Sequence, residues 1–530
     1  MRYILNREEM QAVDAYTIEE LGIPSMVLME RAAMAVADRL FHYMADRVAT
    51  DPVRVLVVTE CGNNGGDALA VARILQEAGW QTDIFQIGGI QKESEQYRQQ
   101  KKILERLGIP VHTEIPDEAM GSWEQAHYDI ILDGIFGVGL HRDIQEPQRK
   151  VIEYLNQLTG YKCAIDMPSG IDSTDGRLLG IGFRADLTVT FGCEKTGQLI
   201  GAGPEYCGRV IIADIGFPKQ ALAQVTPGCY CYERKDLKRL PVRNTTGNKG
   251  TFGRVTVIAG SAEVCGAAVL CAGAAYRTGC GLVEVITHEN NREAVNRLLP
   301  EALLHVYSTR EEAEQAVQQS ADRADVMVVG PGIGTDEIGQ ALTAKALAAA
   351  CPLIVDADAI TILSRQEAWW KQRHITIPAG TEATGKEDLH LIITPHMKEM
   401  ERISRIPMKQ LKQDPWGSAR SLAQTGAVCV LKDARTVVAL PGEQACYMNR
   451  SGNDGMAVGG SGDVLAGILA SLAAQGLPLG EAARLGVYLH GLAGDRAAEQ
   501  NGHYGMLAGD IIEGVVYILK EYDKHSREVQ

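Results

Sequence analysis

Aromatic side chains are scarce in this chain: Phe, Trp and Tyr make up 5% of its 530 residues. A surface that grips single-stranded nucleic acid by stacking its bases needs more of them. Positive charge is short as well. Lys and Arg number 52 against 67 Asp and Glu, a formal net charge of −15, which excludes general attraction to DNA, RNA or an anionic membrane. No stretch reaches the roughly 18 uninterrupted apolar residues of a membrane span, and the opening Met1-Arg2-Tyr3-Ile4-Leu5-Asn6-Arg7 holds no apolar signal core. The 12 cysteines are scattered, with no paired CxxC pattern and only Cys229-Tyr230-Cys231 close together. Isolated thiols in apolar surroundings, such as Cys271 and Cys429, read as buried free cysteines in a reducing compartment, so a cytoplasmic location is expected.

What the chain does have is core material, 45% hydrophobic residues against 22% charged, at a length that favours two or more domains. Short apolar runs alternate with helix-length segments. Strands are predicted at 53–58, 82–87, 128–132, 163–166, 187–191 and 210–215, and helices at 68–78, 97–107 and 148–158. Between 216 and 248 the pattern weakens around Pro218, Pro227, Gly228 and Pro241. A second alternating series starts at Arg254, with strands at 283–286, 326–329, 353–355, 391–393 and 428–431. Helices are predicted at 267–277, 338–350, 418–424, 464–474 and 481–499. The tail 520–530 reads as frayed. Strand–helix alternation of this kind builds parallel sheets covered on both faces. The expectation is therefore an α/β chain of two three-layer α/β/α domains, residues 1–220 and 245–530, joined by a linker at 221–244.

Ligands of such sheets sit at the carboxyl ends of the strands. In the first half three glycine-rich segments fall there: Gly62-Asn63-Asn64-Gly65-Gly66-Asp67, then Asp133-Gly134-Ile135-Phe136-Gly137-Val138-Gly139-Leu140, then Asp166-Met167-Pro168-Ser169-Gly170. Any one could be an ordinary turn, but three at equivalent strand ends point to one crevice. Asn64, Asp133 and Ser169 offer hard oxygen ligands without thiolate or imidazole, a set suited to an alkali or alkaline-earth cation.

In the second half the most informative segment is Gly459-Gly460-Ser461-Gly462-Asp463, followed by an apolar helical run. Glycine lets the backbone approach a ligand, and a helix beginning at Asp463 aims its unpaired N–H groups at an anion. Gly330-Pro331-Gly332-Ile333-Gly334, Asp356-Ala357-Asp358-Ala359, Thr394-Pro395-His396 and Lys432-Asp433-Ala434-Arg435-Thr436 also fall at strand ends. On their own, Lys432 and Thr436 fit a solvated hairpin as well as a phosphate or ribose contact. His396 fits a helix cap as well as a functional histidine.

These motifs carry two resemblances. Residues 1–220, through GNNGGD, DGIFGVGL and DMPSG, resemble the NAD(P)H-hydrate epimerase family, with its Rossmann-like fold. Residues 245–520, through GPGIG, DADA, TPH and GNDGMAVGGSGDVLAG, resemble the ADP- or ATP-dependent NAD(P)H-hydrate dehydratase family, with its ribokinase-like fold. For the first domain the resemblance implies substrate contacts at Asn63, Asn64, Gly65, Gly66 and Asp67, and at Gly137, Val138, Gly139, Leu140, His141, Arg142 and Asp143. It implies potassium at Asn64, Asp133 and Ser169, and makes Asp166 the candidate for proton transfer. For the second it implies hydrate contacts at Ala267, Gly332, His396 and Asp463, with Asp463 as catalytic base. Adenine-nucleotide contacts would come from Lys432, Asp433, Ala434, Arg435, Thr436 and Gly462. ADP is the expected co-substrate, brought with magnesium, and ATP is the other candidate. The hydrates of NADH and NADPH are the expected substrates, and a homo-oligomer the expected assembly. The sequence departs from the family pattern at Ala68, Asn248, Thr361 and Lys398, where Gly, His, Asn and Gly are usual. Read without the first domain, the GGSGD centre would equally serve a small-molecule kinase.

Overall fold

The computed structural model describes residues 1–45, 52–88, 93–113, 123, 126–366 and 389–528. The chain divides into two compact units, Arg2–Cys229 and Tyr230–Gln530, Met1 being grouped with the second. The stretch 221–244, expected as a linker, contains a short strand, Cys229–Cys231, and a 3-10 turn, Arg234–Arg239.

In the first unit, β1 (Arg2–Leu5) precedes α1 (Arg7–Ala15) and α2 (Ser25–Ala45). There follow β2 (Arg54–Thr59), α3 (Asn63–Glu77), β3 (Gln81–Gln86), α4 (Glu95–Arg106), β4 (Val111–His112), β5 (Ile130–Gly134), α5 (Gln148–Gln157), β6 (Tyr161–Ile165), β7 (Leu187–Phe191), β8 (Glu194–Lys195) and β9 (Arg209–Ala213). A parallel seven-stranded sheet runs β4-β3-β2-β5-β6-β7-β9, so strand order reverses between β2 and β5. Alternate strand residues serve opposite faces. Val55, Val57, Ile130 and Leu132 meet α2, α3 and α4 on one side, while Leu56, Val58, Ile131 and Ala164 meet α5 on the other. The three-layer arrangement expected from alternation is present.

In the second unit the strands are β10 (Arg254–Ile258), β11 (Leu282–His288), β12 (Leu303–Tyr307), β13 (Val326–Val329), β14 (Leu353–Val355), β15 (Leu391–Ile393), β16 (Val428–Leu431), β17 (Val437–Ala439) and β18 (Cys446–Met448). They order β12-β11-β10-β13-β14-β15-β16-β17-β18, parallel as far as β16 and antiparallel beyond it. The reversal here lies between β10 and β13. The helices that matter for the site are α6 (Gly266–Thr278), α7 (Ser461–Ala474), α8 (Leu479–Gly505) and α9 (Ala508–Glu528). The tail expected to fray is helical through Glu528. Helix α7 is apolar on nearly every side, with Val464–Leu472 buried. Gly467 lets it press on α6, because a Cβ there would strike the carbonyl oxygen of Cys271. Among the described residues no helix is long and apolar enough to cross a membrane.

Candidate active sites

The glycine-rich segment after β2 is a helix start: the helix expected from 68 begins five residues earlier, at Asn63. Gly62 is the N-cap and Asn63 opens α3. Glycines at 65 and 66 cost helix propensity, but packing demands them. A Cβ on Gly65 would collide with the carbonyl oxygen of Glu60, and one on Gly66 would come within 2.8 Å of Met29. Ala68 is fully buried, and its methyl group occupies the space left by the missing side chain of Gly134. The departure at 68 is thereby accommodated.

Above this helix start lies a cavity of about 730 Å³, lined among others by Asn63, Asn64, Asp67, Asp166 and the stretch from Gly137 to Arg142. Gly65 and Gly66 are buried behind that wall, and Asp143 is exposed outside it. The Gly137–Leu140 turn is pinned from α1. Arg7 donates to the carbonyls of Val138 (3.1 Å) and Leu140 (3.0 Å) and to Asp172 (2.5 Å), and Ser173 Oγ donates to Val138 at 3.0 Å.

Beneath the turn, Asp133 and Ser169 are fully buried. Ser169 donates through its backbone N–H (2.8 Å) and its hydroxyl (2.6 Å) to Asp133, and Phe136 N–H donates to Ser169 Oγ at 2.8 Å. Burial pushes the Asp133 carboxyl up to about 6 against these hydrogen bonds. Asn64 adjoins the same turn, its Oδ1 2.9 Å from where a Gly137 Cβ would be, and its buried Nδ2 has no hydrogen-bond partner. The three expected cation ligands therefore surround one turn.

Asp166 follows β6 with φ +61, a left-handed conformation unusual for aspartate. Its Oδ1 accepts from Thr190 Oγ1 and Phe191 N–H, both at 3.0 Å, and from Lys195 Nζ. Lys195 is 1% exposed, and its other bonds go to Thr190 Oγ1 (2.9 Å) and the Phe191 carbonyl (3.1 Å), so all three ammonium protons are used.

In the second unit, α7 begins at Ser461 instead of Asp463. Its N-cap is Gly460 at φ +92, and Asp463 stands in the first turn. The Gly460 backbone passes so close to Leu270 that a Cβ would overlap it. Lys432, at the end of β16, places Nζ 2.5 Å from Asp356 Oδ1, which also accepts from Thr394 Oγ1 at 2.6 Å. A Cβ on Gly462 would lie 3.4 Å from Lys432 Nζ and 3.8 Å from Asp356 Oδ2, so the helix start and the ion pair adjoin. Burial and then the Asp356 charge push the Asp463 carboxyl up to about 6, with Lys432 opposing. Although burial pulls the Lys432 ammonium down, Asp356 and Glu399 raise it above its ordinary value.

His396 is the N-cap of the helix Met397–Ser404, its Nδ1 accepting from the N–H groups of Lys398 (3.1 Å) and Glu399 (3.2 Å). Its place beside the site comes from the backbone, since Lys432 N–H donates to the Pro395 carbonyl at 2.8 Å. Burial and the Lys432 charge lower the imidazole below its usual value. Gly332, at φ +63, brings the loop after β13 against α6, with its missing Cβ 3.2 Å from that of Ala267. Asp433, Ala434, Arg435 and Thr436 form the turn between β16 and β17, where Asp433 and Ala434 are exposed. Only Lys432 of that run departs from a solvated hairpin.

Comparison with known proteins agrees with both halves. A family model described as NAD(P)H-hydrate dehydratase matches residues 255–516, and one described as YjeF-related protein N-terminus matches 25–197. A bifunctional NAD(P)H-hydrate repair enzyme from Moorella thermoacetica is 33% identical across 98% of this chain and 97% of its own length. The chain belongs to the bifunctional NAD(P)H-hydrate repair enzyme family. A relative of that description from Thermofilum pendens is also 33% identical, over 94% of this chain and 92% of its own. Among solved structures, an ADP/ATP-dependent NAD(P)H-hydrate dehydratase from Bacillus subtilis, co-crystallised with ATP and magnesium, is 27% identical. It covers 55% of this chain and 97% of its own, at a TM-score of 0.46.

Several residues that line or adjoin these candidate sites are not marked out by the motifs. In the first unit Asp14 and Arg7 sit in a segment without glycine, and Lys195, although between Gly192 and Gly197, belongs to none of the motifs. In the second, Asp356 belongs to the DADA motif yet reveals itself as the partner of Lys432 only in space. The side chain of Glu399, 5% exposed, accepts from His396 N–H at 2.8 Å, and burial pushes its carboxyl up to about 7. His490, whose Nε2 donates to the Ser461 carbonyl at 3.0 Å, is driven down to about 4 by burial and so stays neutral behind the anion loop.

Proposed function

We propose that this protein repairs hydrated NADH and NADPH in two steps. The first unit interconverts the R and S hydrates. The second removes water from the S hydrate at the expense of ADP, giving AMP and phosphate. The observation that carries this reading is Asp463 in the first turn of α7, beside the Lys432–Asp356 pair, on a chain whose other unit holds an Asp166-lined cavity.

Hydroxide is a poor leaving group, so dehydration gains from converting the ring hydroxyl into a phosphate ester. Asp463 takes the hydroxyl proton as general base while the hydroxyl oxygen attacks the terminal phosphoryl group of the nucleotide. Backbone N–H groups of Ser461 and Gly462 meet the charge on the transferring group, and Lys432 adds a cation alongside. The ring nitrogen then expels phosphate, and loss of the neighbouring proton regenerates the dihydropyridine. Ala267 and Gly332 form a small-residue wall for the hydrate ring, with His396 at its edge, and the turn Asp433–Thr436 borders the nucleotide.

Magnesium enters as the companion of the nucleotide phosphates. Among the described residues no group of three or more His, Cys, Asp or Glu could hold a metal, which suits an ion ligated mainly by phosphate and water. Potassium fits the first unit. Asp133, Ser169 and Asn64 present oxygen donors around one turn, and the orphaned amide of Asn64 reads as a group whose oxygen belongs toward a cation. A bound cation would supply positive charge that fixes the Gly137 turn against the substrate.

The test is a spectrophotometric assay on mixed R and S hydrates, following recovery of dihydropyridine absorbance with ADP or ATP, with potassium present or absent. Full recovery from the mixture supports both activities, and half-recovery limited to S leaves only the dehydratase. A stable phosphorylated alcohol would mark a kinase and overturn the reading.

A further inference from the structure

The epimerase cavity contains more acid than its motifs account for. Helix α1 presents Met10, Gln11 and Asp14 to the cavity, positions that share one helical face with Arg7 at i, i+3, i+4 and i+7. That face is fixed at its N-terminal end in two ways. Asn6 and Glu9 form a capping box at the start of α1, and Arg7 clamps the Gly137–Leu140 turn and Asp172. Asp14 has no hydrogen bond or ion pair among the described residues, so its carboxyl is free to meet a ligand. Asp67 of α3 and Asp166 after β6 line the same space.

Three carboxyl groups therefore share one ammonium, Lys195, and that ammonium is committed to Asp166. Burial and the Asp166 charge raise the Asp14 carboxyl, with Lys195 opposing, and burial together with Asp166 and Asp14 raises Asp67 well above its ordinary value. Carboxylates crowded this way do not all ionise together. The cavity thus sets the lysine-paired Asp166 beside Asp14, an unpaired carboxyl whose burial favours its protonated form, and such a combination is what an acid–base reaction at a single carbon needs.

We propose that Asp14 is the second catalytic acid–base group of the epimerase, partner to Asp166. This rests on the epimerase reading of the first unit. The hydrated ring carbon carries a hydroxyl and the ring nitrogen. Asp166 Oδ1 is held by Lys195, Thr190 and Phe191, so Oδ2 is the oxygen that takes the hydroxyl proton. The C–O electrons form a carbonyl, the C–N bond breaks, and its electron pair on nitrogen receives the proton of Asp14. Rotation about the neighbouring C–C bond turns the other aldehyde face to the nitrogen. Ring closure returns one proton to Asp14 and one to the new hydroxyl, completing inversion with no atom or electron gained or lost. Lys195 is a positioning residue in this scheme.

The groups that face Asp14 are Asp166, Lys195 and Asp67, with Glu60, His141 and Arg142 elsewhere on the cavity wall. Full-length protein is assayed on pure R hydrate, with dehydration of pure S hydrate as the control for folding. In the parent, epimerisation kcat declines as pH rises through the Asp14 value, because the acid must carry its proton. Asp14→Asn is expected to lower kcat about 100-fold or more with KM within about threefold and to abolish that alkaline limb, while Asp14→Glu recovers part of the rate with the limb restored. An Asp14→Asn variant that keeps parental kcat and limb overturns the inference, as does loss of the limb in Asp67→Asn alone. A parent that leaves R hydrate unconverted would instead sink the epimerase reading, and inactivation by Asp166→Asn but not Asp14→Asn would spare that reading and reject Asp14.

Discussion

Lys432 Nζ lies 2.5 Å from Asp356 Oδ1, and both flank Gly462 in the first turn of α7. The arrangement sets a cation and a carboxylate, paired with each other, beside the helix turn that carries Asp463. In the proposed reaction the cation supplies charge for a phosphoryl group, while burial and then the Asp356 charge keep Asp463 a better base than an exposed aspartate.

Asp463→Asn removes the base and leaves the N–H groups of the helix start. Dehydration of S hydrate should drop by about 10³-fold, within the usual range for lost general-base catalysis, while nucleotide binding measured by calorimetry stays within a few-fold. In the parent, the base must be ionised. With its carboxyl raised to about 6, kcat should fall as pH is lowered through about 6 and level off above it. A turnover near the parent's in Asp463→Asn would reject the assignment.

How much of this was legible without coordinates depends on the kind of signal. The strand ends could be read, because apolar runs such as Val326–Val329 stand out and glycine or aspartate follows several of them directly. Of the two candidate centres, Asp166 directly follows such a run at the end of β6, whereas Asp463 stands out through the Gly459–Gly462 segment ahead of an apolar helical run. The start of α3 lies at Asn63, ahead of the 68 that the sequence pattern predicts, since two glycines argue for a turn by propensity. They are there for close approach to Glu60 and Met29, which only tertiary packing reveals. Lys195 and Asp14 were missed for another reason. Lys195 is one of two residues in β8, and its partner is 29 positions away. Asp14 looks like one more polar residue of an amphipathic helix until the opposite wall of the cavity is in place.

Lys432→Met strands the Asp356 carboxylate, which is 1% exposed, with only Thr394 still donating to it among the side-chain contacts described. Removing one partner of a buried pair costs about 3–5 kcal/mol. The variant should melt at clearly lower temperature and bind nucleotide weakly. Adding Asp356→Asn relieves the stranded charge, so the double variant should regain most of the lost stability in thermal denaturation but none of the turnover. Stability equal in the single and double variants would mean the pair carries no such coupling.

The oxygen cluster beneath the Gly137 turn predicts a cation response confined to the first unit. Epimerisation of R hydrate should be faster in potassium than in an equal concentration of a large organic cation. Asn64→Ala should abolish that difference and slow the reaction about tenfold or more, with dehydration of S hydrate unchanged in both salts. An unaltered potassium response in the variant would remove Asn64 from the ligand set.

Two glycines of the α3 start separate packing from mere flexibility. Gly62, the N-cap at φ −84, has nothing within 4 Å of a new Cβ, so Gly62→Ala should cost only the roughly 1 kcal/mol or less by which alanine is the poorer N-cap and leave epimerisation running. Gly65 also has room in its backbone angles, yet its Cβ would be driven into the Glu60 carbonyl oxygen. No rotamer relieves a backbone clash, so α3 must shift away from β2, carrying Asn63, Asn64 and Asp67 out of register with Asp166. Gly65→Ala is therefore expected to lower stability by about 1–3 kcal/mol and to abolish epimerisation, while dehydration of S hydrate persists as the internal control. Gly65→Ala with a parental epimerisation rate would show that the helix start can move without harm to the site.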